Sequence, residues 1–131
     1  MFEQGAIYRY FYLWAWQDQK GEESGRKSRP SCLVIKKPGA DGALFLFPLT
    51  SKRPPENRLA LQVPATEIKQ AGLEAPCWII LDEYNRTLAD TPFDFESLVP
   101  LGSFSSKFLI EIARAIELGS KTQTIIPVKR S

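Results

Sequence analysis

Two short stretches of the chain carry phosphate-binding side chain types at the ends of strand-like runs. The first begins with Arg29-Pro30 and continues as the apolar run 31–35, and the second is the apolar run 43–49, which ends in Thr50-Ser51. The Pro, Asp and two Gly of residues 36–42 supply turn dihedrals, so we predict a β-hairpin. The start of one antiparallel strand lies beside the end of the other, which brings Arg29 to the two hydroxyls. A guanidinium next to two hydroxyls forms a phosphate-sized site.

The charge distribution along the chain agrees with an anionic ligand. Residues 20–58 hold nine Lys or Arg against four Asp or Glu, a net charge of +5, and the other residues hold eight against eleven, a net charge of −3. The basic residues nearest the hairpin ends, predicted to contact the anionic ligand, are Arg26, Lys27, Lys52 and Arg53. Solvated loop charges are the alternative interpretation.

The motifs stand in an order that resembles the MazF/PemK family, the toxins of bacterial toxin–antitoxin pairs. They are Gly5-Ala6-Ile7, the loop Gly21-Glu22-Glu23-Ser24-Gly25, Arg29-Pro30, Leu33-Val34-Ile35, Pro48-Leu49-Thr50-Ser51 and Gly72-Leu73. The similarity covers most of the chain and is best from Gly5 to Ser51. It implies a metal-independent endoribonuclease for single-stranded RNA, a homodimer, and an acidic antitoxin protein as a partner. No cofactor is expected.

The resemblance also implies roles for individual residues. In the family, the Arg and the Thr of these motifs take the phosphate, which corresponds to Arg29 and Thr50 here, with Ser51 beside them. Family members often have a Glu a few residues before that Arg. Glu22 and Glu23 lie seven and six positions upstream of Arg29. Because the chain has no histidine, these two carboxylates are the expected candidates for a general base.

Other functions remain open on the sequence. A protein of this fold can instead bind nucleic acid or DNA gyrase without cutting RNA, as the related CcdB toxins do not cleave RNA. An inactive relative that acts as an interaction module is a third possibility. Arg29 serves binding as well as chemistry, so it does not separate these hypotheses, and both Glu22 and Glu23 can equally be exposed loop carboxylates.

Aromatic residues dominate the N-terminal segment. The stretch from Ile7 to Trp16 is predicted to be a strand because of its β-branched and aromatic content. On such a strand Tyr8, Tyr10, Tyr12, Trp14 and Trp16 share one face. We expect the tyrosines to pack in the core or in a subunit interface. Trp14 and Trp16 border the charged loop predicted at 17–28, and they are the candidates for stacking on bases.

The remaining pattern predicts a mainly β fold with a C-terminal α-helix. Further strands are expected at about 58–63, 76–84 and 124–128, with a helical turn at 64–72. A helix begins after Ser103 or Ser105 and ends at Gly119, and the acidic region 82–96 is expected to be solvated surface. We therefore predict an SH3-like barrel, a curled antiparallel sheet of about five to six strands.

Length and composition indicate one soluble domain, residues 1–131. Apolar residues make up 44% and charged residues 24%, which is ordinary for a globular protein. Cys32 and Cys77 sit in apolar runs and are predicted to be buried and reduced. We expect no metal site, because no ligand spacing is present. The chain shows neither a signal peptide nor an apolar run long enough for a membrane span, so we expect a cytoplasmic protein without membrane contact.

Overall fold

The computed structural model describes residues 2–23, 25–35 and 42–130, so the turn predicted at 36–42 lies outside the described residues except for Gly42. The strands are β1 (Ala6–Tyr10), β2 (Arg29–Ile35), β3 (Ala43–Thr50), β4 (Ala60–Gln62), β5 (Trp78–Ile80), β6 (Glu83–Leu88), β7 (Gly102–Ser103) and β8 (Ile126–Lys129), and the helices are α1 (Ala15–Gln19), α2 (Ala65–Gln70) and α3 (Ser106–Ser120).

The sheet is organised around β3. On one side β3 pairs antiparallel with β2, from Ser31 opposite Pro48 to Ile35 opposite Leu44, as predicted for the hairpin. On its other side residues 43–46 pair with β6 and residues 49–50 pair with β5. Because the two halves of one edge have different partners, the sheet curls at this strand. The mainly β fold with a curled antiparallel sheet and a C-terminal helix is confirmed; β8, which pairs parallel with β6, is the exception to antiparallel pairing.

Both faces of the central strands are covered, which agrees with their nearly continuous apolar sequence. One face packs Ile7, Cys32 and Phe47 against Phe108 and Ile112 of α3. The opposite face packs a second cluster, which contains Ala6, Tyr8, Tyr10, Tyr12, Leu33, Leu44, Leu46 and Phe95. The helix α3 is capped as predicted, because the Ser105 hydroxyl accepts a hydrogen bond from the Phe108 N–H at 3.2 Å.

The N-terminal segment differs from the predicted strand. β1 ends at Tyr10, and the short helix α1 occupies Ala15–Gln19, where we had predicted strand and then loop. Hydrogen bonds explain the helix: the Trp14 N–H donates to Gln17 Oε1 at 3.0 Å, and the Ala15 N–H donates to Glu83 Oε1 at 2.9 Å. These acceptors satisfy N–H groups that a helix start leaves free. Trp14 and Trp16 therefore do not continue the face of the buried tyrosines.

The structure also differs from the predictions for residues 76–84, expected to form one strand, and for the start of the acidic region 82–96. The predicted strand divides into β5 and β6. Asp82, which lies between these strands, and Glu83, which begins β6, are buried instead of solvated. Arg58 compensates both charges, since its Nε and Nη2 donate to the two Asp82 oxygens at 2.7 Å and Nη2 also lies 3.0 Å from Glu83 Oε2. Buried carboxylates require such partners.

Two further expectations can be compared with the structure. Cys32 and Cys77 are free and buried, as predicted. Within the described ranges, no helix is long and apolar enough to cross a membrane.

Candidate phosphate-binding cleft

A cleft of about 590 Å³ lies at the end of the β2–β3 hairpin that was predicted to bind phosphate. Its charged lining residues are Arg9, Lys27, Arg29, Lys52 and Glu74, and its hydroxyl-bearing lining residues are Ser28, Thr50 and Ser51. Among the described residues that line the cleft, four are thus cationic and one is a carboxylate. The excess of positive charge favours an anionic ligand. We call this the larger cleft.

Arg29 is the first residue of β2, and Thr50 is the last residue of β3. Continuing the observed register by two positions beyond Ser31 and Pro48 places Arg29 opposite Thr50. Both residues line the larger cleft. The hairpin therefore brings together the guanidinium and the hydroxyl that the sequence predicted as neighbours.

The Arg29 guanidinium rests on an aromatic ring. Its Cζ lies 4.9 Å from the centroid of the Trp14 ring, which is a cation–π contact. Its Nε is buried and has no hydrogen-bond partner among the described residues. Burial lowers the pKa of Arg29, because it removes the water that would solvate the charge. A phosphate entering the cleft would restore that lost solvation.

The Thr50 hydroxyl is held by the turn that follows β3. Its Oγ1 accepts a hydrogen bond from the Lys52 N–H at 3.2 Å. A hydroxyl that accepts in this way still has its own O–H to donate. Thr50 can therefore donate to a phosphate oxygen while its oxygen stays anchored to the backbone.

A smaller cleft of about 310 Å³ adjoins the larger one. Its lining consists of Tyr12, Trp14, Trp16, Gln17, Arg26, Lys27 and Arg29. Three of these residues, Trp14, Lys27 and Arg29, line both clefts. Its size is at the lower end of the range for sites that bind small molecules. Indole rings beside cationic groups are a combination suited to stacking on nucleobases.

Charged side chains surround the exposed Trp16. Arg26 Cζ lies 4.9 Å and Lys20 Nζ lies 5.3 Å from the ring centroid. Arg26 is itself held by Glu22, which accepts from Nε at 3.0 Å and from Nη2 at 2.7 Å. These hydrogen bonds lower the pKa of Glu22. A carboxylate stabilised in its charged form is a weaker proton acceptor.

The predicted site residues divide into three groups. Trp14, Lys27, Arg29, Thr50, Ser51 and Lys52 line the larger cleft. Arg26 and Trp16 line the smaller cleft. Arg53, Glu22 and Glu23 line neither of these two clefts. The structure thus does not place the expected carboxylate bases beside Arg29.

Sequence reasoning missed two charged residues of the larger cleft, Arg9 and Glu74. Arg9 is the exposed residue of the otherwise buried strand β1, and its neighbour across the sheet is Pro30. Glu74 directly follows Gly72-Leu73, one of the motifs in the resemblance. That adjacency was the available signal for Glu74.

Buried polar groups fasten the segment that carries Trp14. The Asn85 side chain accepts from the Leu13 N–H at 2.9 Å and donates to the Leu13 carbonyl at 2.7 Å. Arg130 Nη1 donates to Asn85 Oδ1 at 2.9 Å and to the Phe11 carbonyl at 2.8 Å. Tyr12 donates to Glu83 Oε1 at 3.1 Å. The position of Trp14 under Arg29 thus depends on β6 and on the end of β8.

Other chemistries find little support in the lining. Cys77 lines the larger cleft, but burial raises the pKa of its thiol to about 11. At neutral pH almost no thiolate is present, so Cys77 is not an activated nucleophile. The described part of the chain contains no group of three or more His, Cys, Asp or Glu side chains that could hold a metal ion.

No protein-family model and no curated protein sequence matches the chain. Its fold is similar to a solved structure, an endoribonuclease in complex with its cognate antitoxin from a mycobacterial species. The TM-score is 0.62 at 13% sequence identity, and the match covers 94% of this chain and 98% of the other. At this identity the similarity shows a shared fold, and the residues of the site carry the argument for function.

Proposed function

We propose that the chain is the toxin of a type II toxin–antitoxin pair, of the MazF/PemK kind, and that it cleaves single-stranded RNA without a metal ion. The observation that carries the proposal is Arg29, desolvated, stacked on Trp14 and aligned with Thr50 in a basic cleft. The similarity in fold to an endoribonuclease supports it.

The reaction follows from the chemistry of RNA. The 2′-hydroxyl loses its proton and attacks the adjacent phosphorus, and the 5′-oxygen leaves, so that the products are a 2′,3′-cyclic phosphate and a 5′-hydroxyl. Negative charge accumulates on the nonbridging oxygens in the transition state. Arg29 and Thr50 are proposed to stabilise this charge, since donors fixed beforehand in a partly dry site stabilise developing charge most effectively.

The two adjoining clefts support binding of a single strand. A phosphate held by Arg29, Thr50 and Ser51 in the larger cleft leaves the next nucleotide beside the shared wall of the smaller cleft. Its base can stack on Trp14 or Trp16, which is possible only when the base is unpaired. Lys27, Lys52 and Arg26 are proposed to contact flanking phosphates. Arg53 is exposed beyond the larger cleft and is proposed to contact the strand further along.

The partners are proposed on the same grounds. An acidic antitoxin segment that covers the basic cleft would block access of RNA, and the similar endoribonuclease is in complex with its antitoxin. A homodimer is proposed from the family resemblance. Because Tyr8, Tyr10 and Tyr12 are buried within the chain, these tyrosines do not supply the dimer interface. Sedimentation equilibrium of the purified protein tests the dimer.

The test of the activity is cleavage of a mixed-sequence RNA in the presence of EDTA. Wild-type protein is expected to produce 2′,3′-cyclic phosphate and 5′-hydroxyl ends. Arg29→Ala is expected to lower the cleavage rate by at least about a hundredfold, and Arg29→Lys is expected to be impaired because an ammonium lacks the planar pair of donors. Lys107→Ala, which removes a cation of α3 outside both clefts, is the control and should retain most of the activity.

The alternative function predicts a different result in the same assay. A protein that binds nucleic acid or gyrase without cutting would leave the RNA intact and bind its target tightly. Cleavage by Arg29→Ala at the wild-type rate would refute the assignment of Arg29, and absence of cleavage by the wild-type protein would favour the binding protein.

A further inference from the structure

We infer that Glu74 is the general base that takes the proton from the 2′-hydroxyl. The inference rests on the proposed ribonuclease function and names a residue that the sequence motifs did not assign. Its starting point is the composition of the larger cleft, in which Glu74 is the one carboxylate among the lining residues that the structure describes.

The other carboxylates considered for this role are elsewhere. Glu22 and Glu23 line neither cleft. Glu22 is bound by two nitrogens of Arg26, and the same pairing lowers its pKa. Glu83 is buried and accepts hydrogen bonds from Tyr12 and Ala15. Glu74, in contrast, has an exposed side chain on the wall of the cleft that contains Arg29 and Thr50.

The loop that carries Glu74 is fastened at both ends. Before it, the Leu73 N–H donates to the Ile68 carbonyl at 2.9 Å. Gly72 has a φ of +69°, and a Cβ at this position would lie 2.6 Å from the Leu101 carbonyl oxygen, so only glycine permits this close approach. After it, the Cys77 carbonyl accepts from the Val63 N–H at 2.8 Å. Glu74 is therefore presented to the cleft by a loop of fixed course.

The larger cleft brings Glu74 together with the cations that are proposed to hold the phosphate. Arg9, Lys27, Arg29 and Lys52 line the same cleft as Glu74. An anionic phosphate also enters more easily when these cations outnumber the carboxylate. A carboxylate repels a bound phosphate, but it can accept the proton that the 2′-hydroxyl must lose.

The proposed step exchanges one bond of the phosphorus for another, with proton transfers at the two oxygens. The proton of the 2′-hydroxyl moves to the Glu74 carboxylate while the bond from the 2′-oxygen to phosphorus forms. The bond from phosphorus to the 5′-oxygen breaks, and the 5′-oxygen takes a proton from a water molecule of the cleft. The resulting hydroxide receives the proton held by Glu74, which restores the carboxylate and the water.

The experiment compares Glu74→Gln with Glu23→Gln, a matched loss of one exposed carboxylate outside both clefts. We expect Glu74→Gln to lower kcat by about a hundredfold or more, with equal or tighter binding of RNA because a negative charge has left the cleft. Glu23→Gln should cleave at about the wild-type rate. A carboxylate that only repels RNA predicts the opposite result, an unchanged or higher kcat with a lower KM.

Chemical rescue separates a proton acceptor from a residue that merely positions the substrate. Glu74→Ala is expected to recover part of its cleavage rate when formate is added, whereas Arg29→Ala should not recover. Wild-type kcat in Glu74→Gln, or no formate-dependent rate in Glu74→Ala, would overturn the inference while wild-type cleavage still supported the ribonuclease. Absence of cleavage by the wild-type protein would instead remove the proposed function itself.

Discussion

The Cζ atom of Arg29 lies 4.9 Å from the centroid of the Trp14 ring, and this contact joins the β2–β3 hairpin to the segment that follows β1. The placement of the Arg29 side chain therefore depends on Trp14, which precedes α1. The ring supports the guanidinium from one face without using any of its N–H donors.

Replacement of Trp14 should therefore affect both binding and chemistry. Trp14→Ala is expected to weaken RNA binding about tenfold, or about 1.4 kcal/mol, and to lower kcat, because Arg29 loses its support. Trp16→Ala is the comparison: it lines only the smaller cleft and should weaken binding with little change in kcat. Titration of a fluorescent RNA and single-turnover cleavage measure the two effects. Equal kcat in the two variants would contradict this role of Trp14.

The salt dependence of RNA binding should report the lysines of the cleft. Phosphate contacts release counterions, so the logarithm of the binding constant falls linearly with the logarithm of salt concentration. Lys27→Ala and Lys52→Ala should each reduce that slope by about one. Lys107→Ala, at the start of α3 and outside both clefts, should leave the slope unchanged. Binding insensitive to salt would argue against a phosphate-contacting cleft.

Asn85 should be important for stability, because its side chain bonds to Leu13 and to Arg130, which are both far from it in the sequence. Asn85→Ala leaves the N–H and carbonyl of buried Leu13 without partners, and each buried orphan is costly. We expect a loss of about 3 kcal/mol in the free energy of unfolding. Asn57→Ala, at an exposed position, should change it by less than about 0.5 kcal/mol. Urea denaturation of both variants makes the comparison, and equal midpoints would show that the Asn85 bonds contribute little.

The pH dependence of stability should reveal Glu83. Burial raises its pKa above the ordinary value of 4.5, against the opposing effects of the Ala15 N–H, Arg58 and the Tyr12 hydroxyl. A raised pKa means that the folded state binds the proton more tightly than the unfolded state. The stabilising contribution is full below the ordinary pKa and is lost as pH rises through the raised one.

Glu83→Gln lacks this titration, so it should gain stability relative to the wild-type protein as pH rises from about 4 to about 7. The measurement is the difference in free energy of unfolding between the two proteins at several pH values. Because the difference is taken at each pH, titrations that the two proteins share cancel. A difference independent of pH would contradict the raised pKa.

Local sequence patterns were enough to predict the hairpin and the long helix. The apolar runs of β2 and β3, their turn residues, and the Ser105 cap with the four-residue apolar spacing of α3 each act within a few residues of the chain. The alignment of Arg29 with Thr50 followed from strand geometry alone. These parts of the fold and of the site could be derived because the pairing of β2 with β3 and the start of α3 join residues that are close in the chain.

The features that the sequence did not predict depend on contacts between residues that are far apart in the chain. The aromatic content of residues 7–16 favoured a strand, but Glu83, 68 positions from Ala15, accepts the N–H that begins α1. Asp82 and Glu83 looked solvated because Arg58, 24 residues from Asp82, pairs with them only in the folded chain. The motif Gly72-Leu73 lies next to Glu74 in the sequence, but the close approach of Gly72 to Leu101, which helps to fix this loop, joins residues that are far apart in the chain.

The hydrogen bonds of Arg130 affect the order in which contacts form while the chain is being translated. Arg130 bonds to the Phe11 carbonyl across 119 positions, so a ribosome must add that many residues before the contact can be made. Contacts of such long range are slow to form and come late in folding. The bond from Arg130 to the segment that carries Trp14 can therefore form only after Arg130 has left the ribosome, later than the bonds of that segment to Asn85 and Glu83.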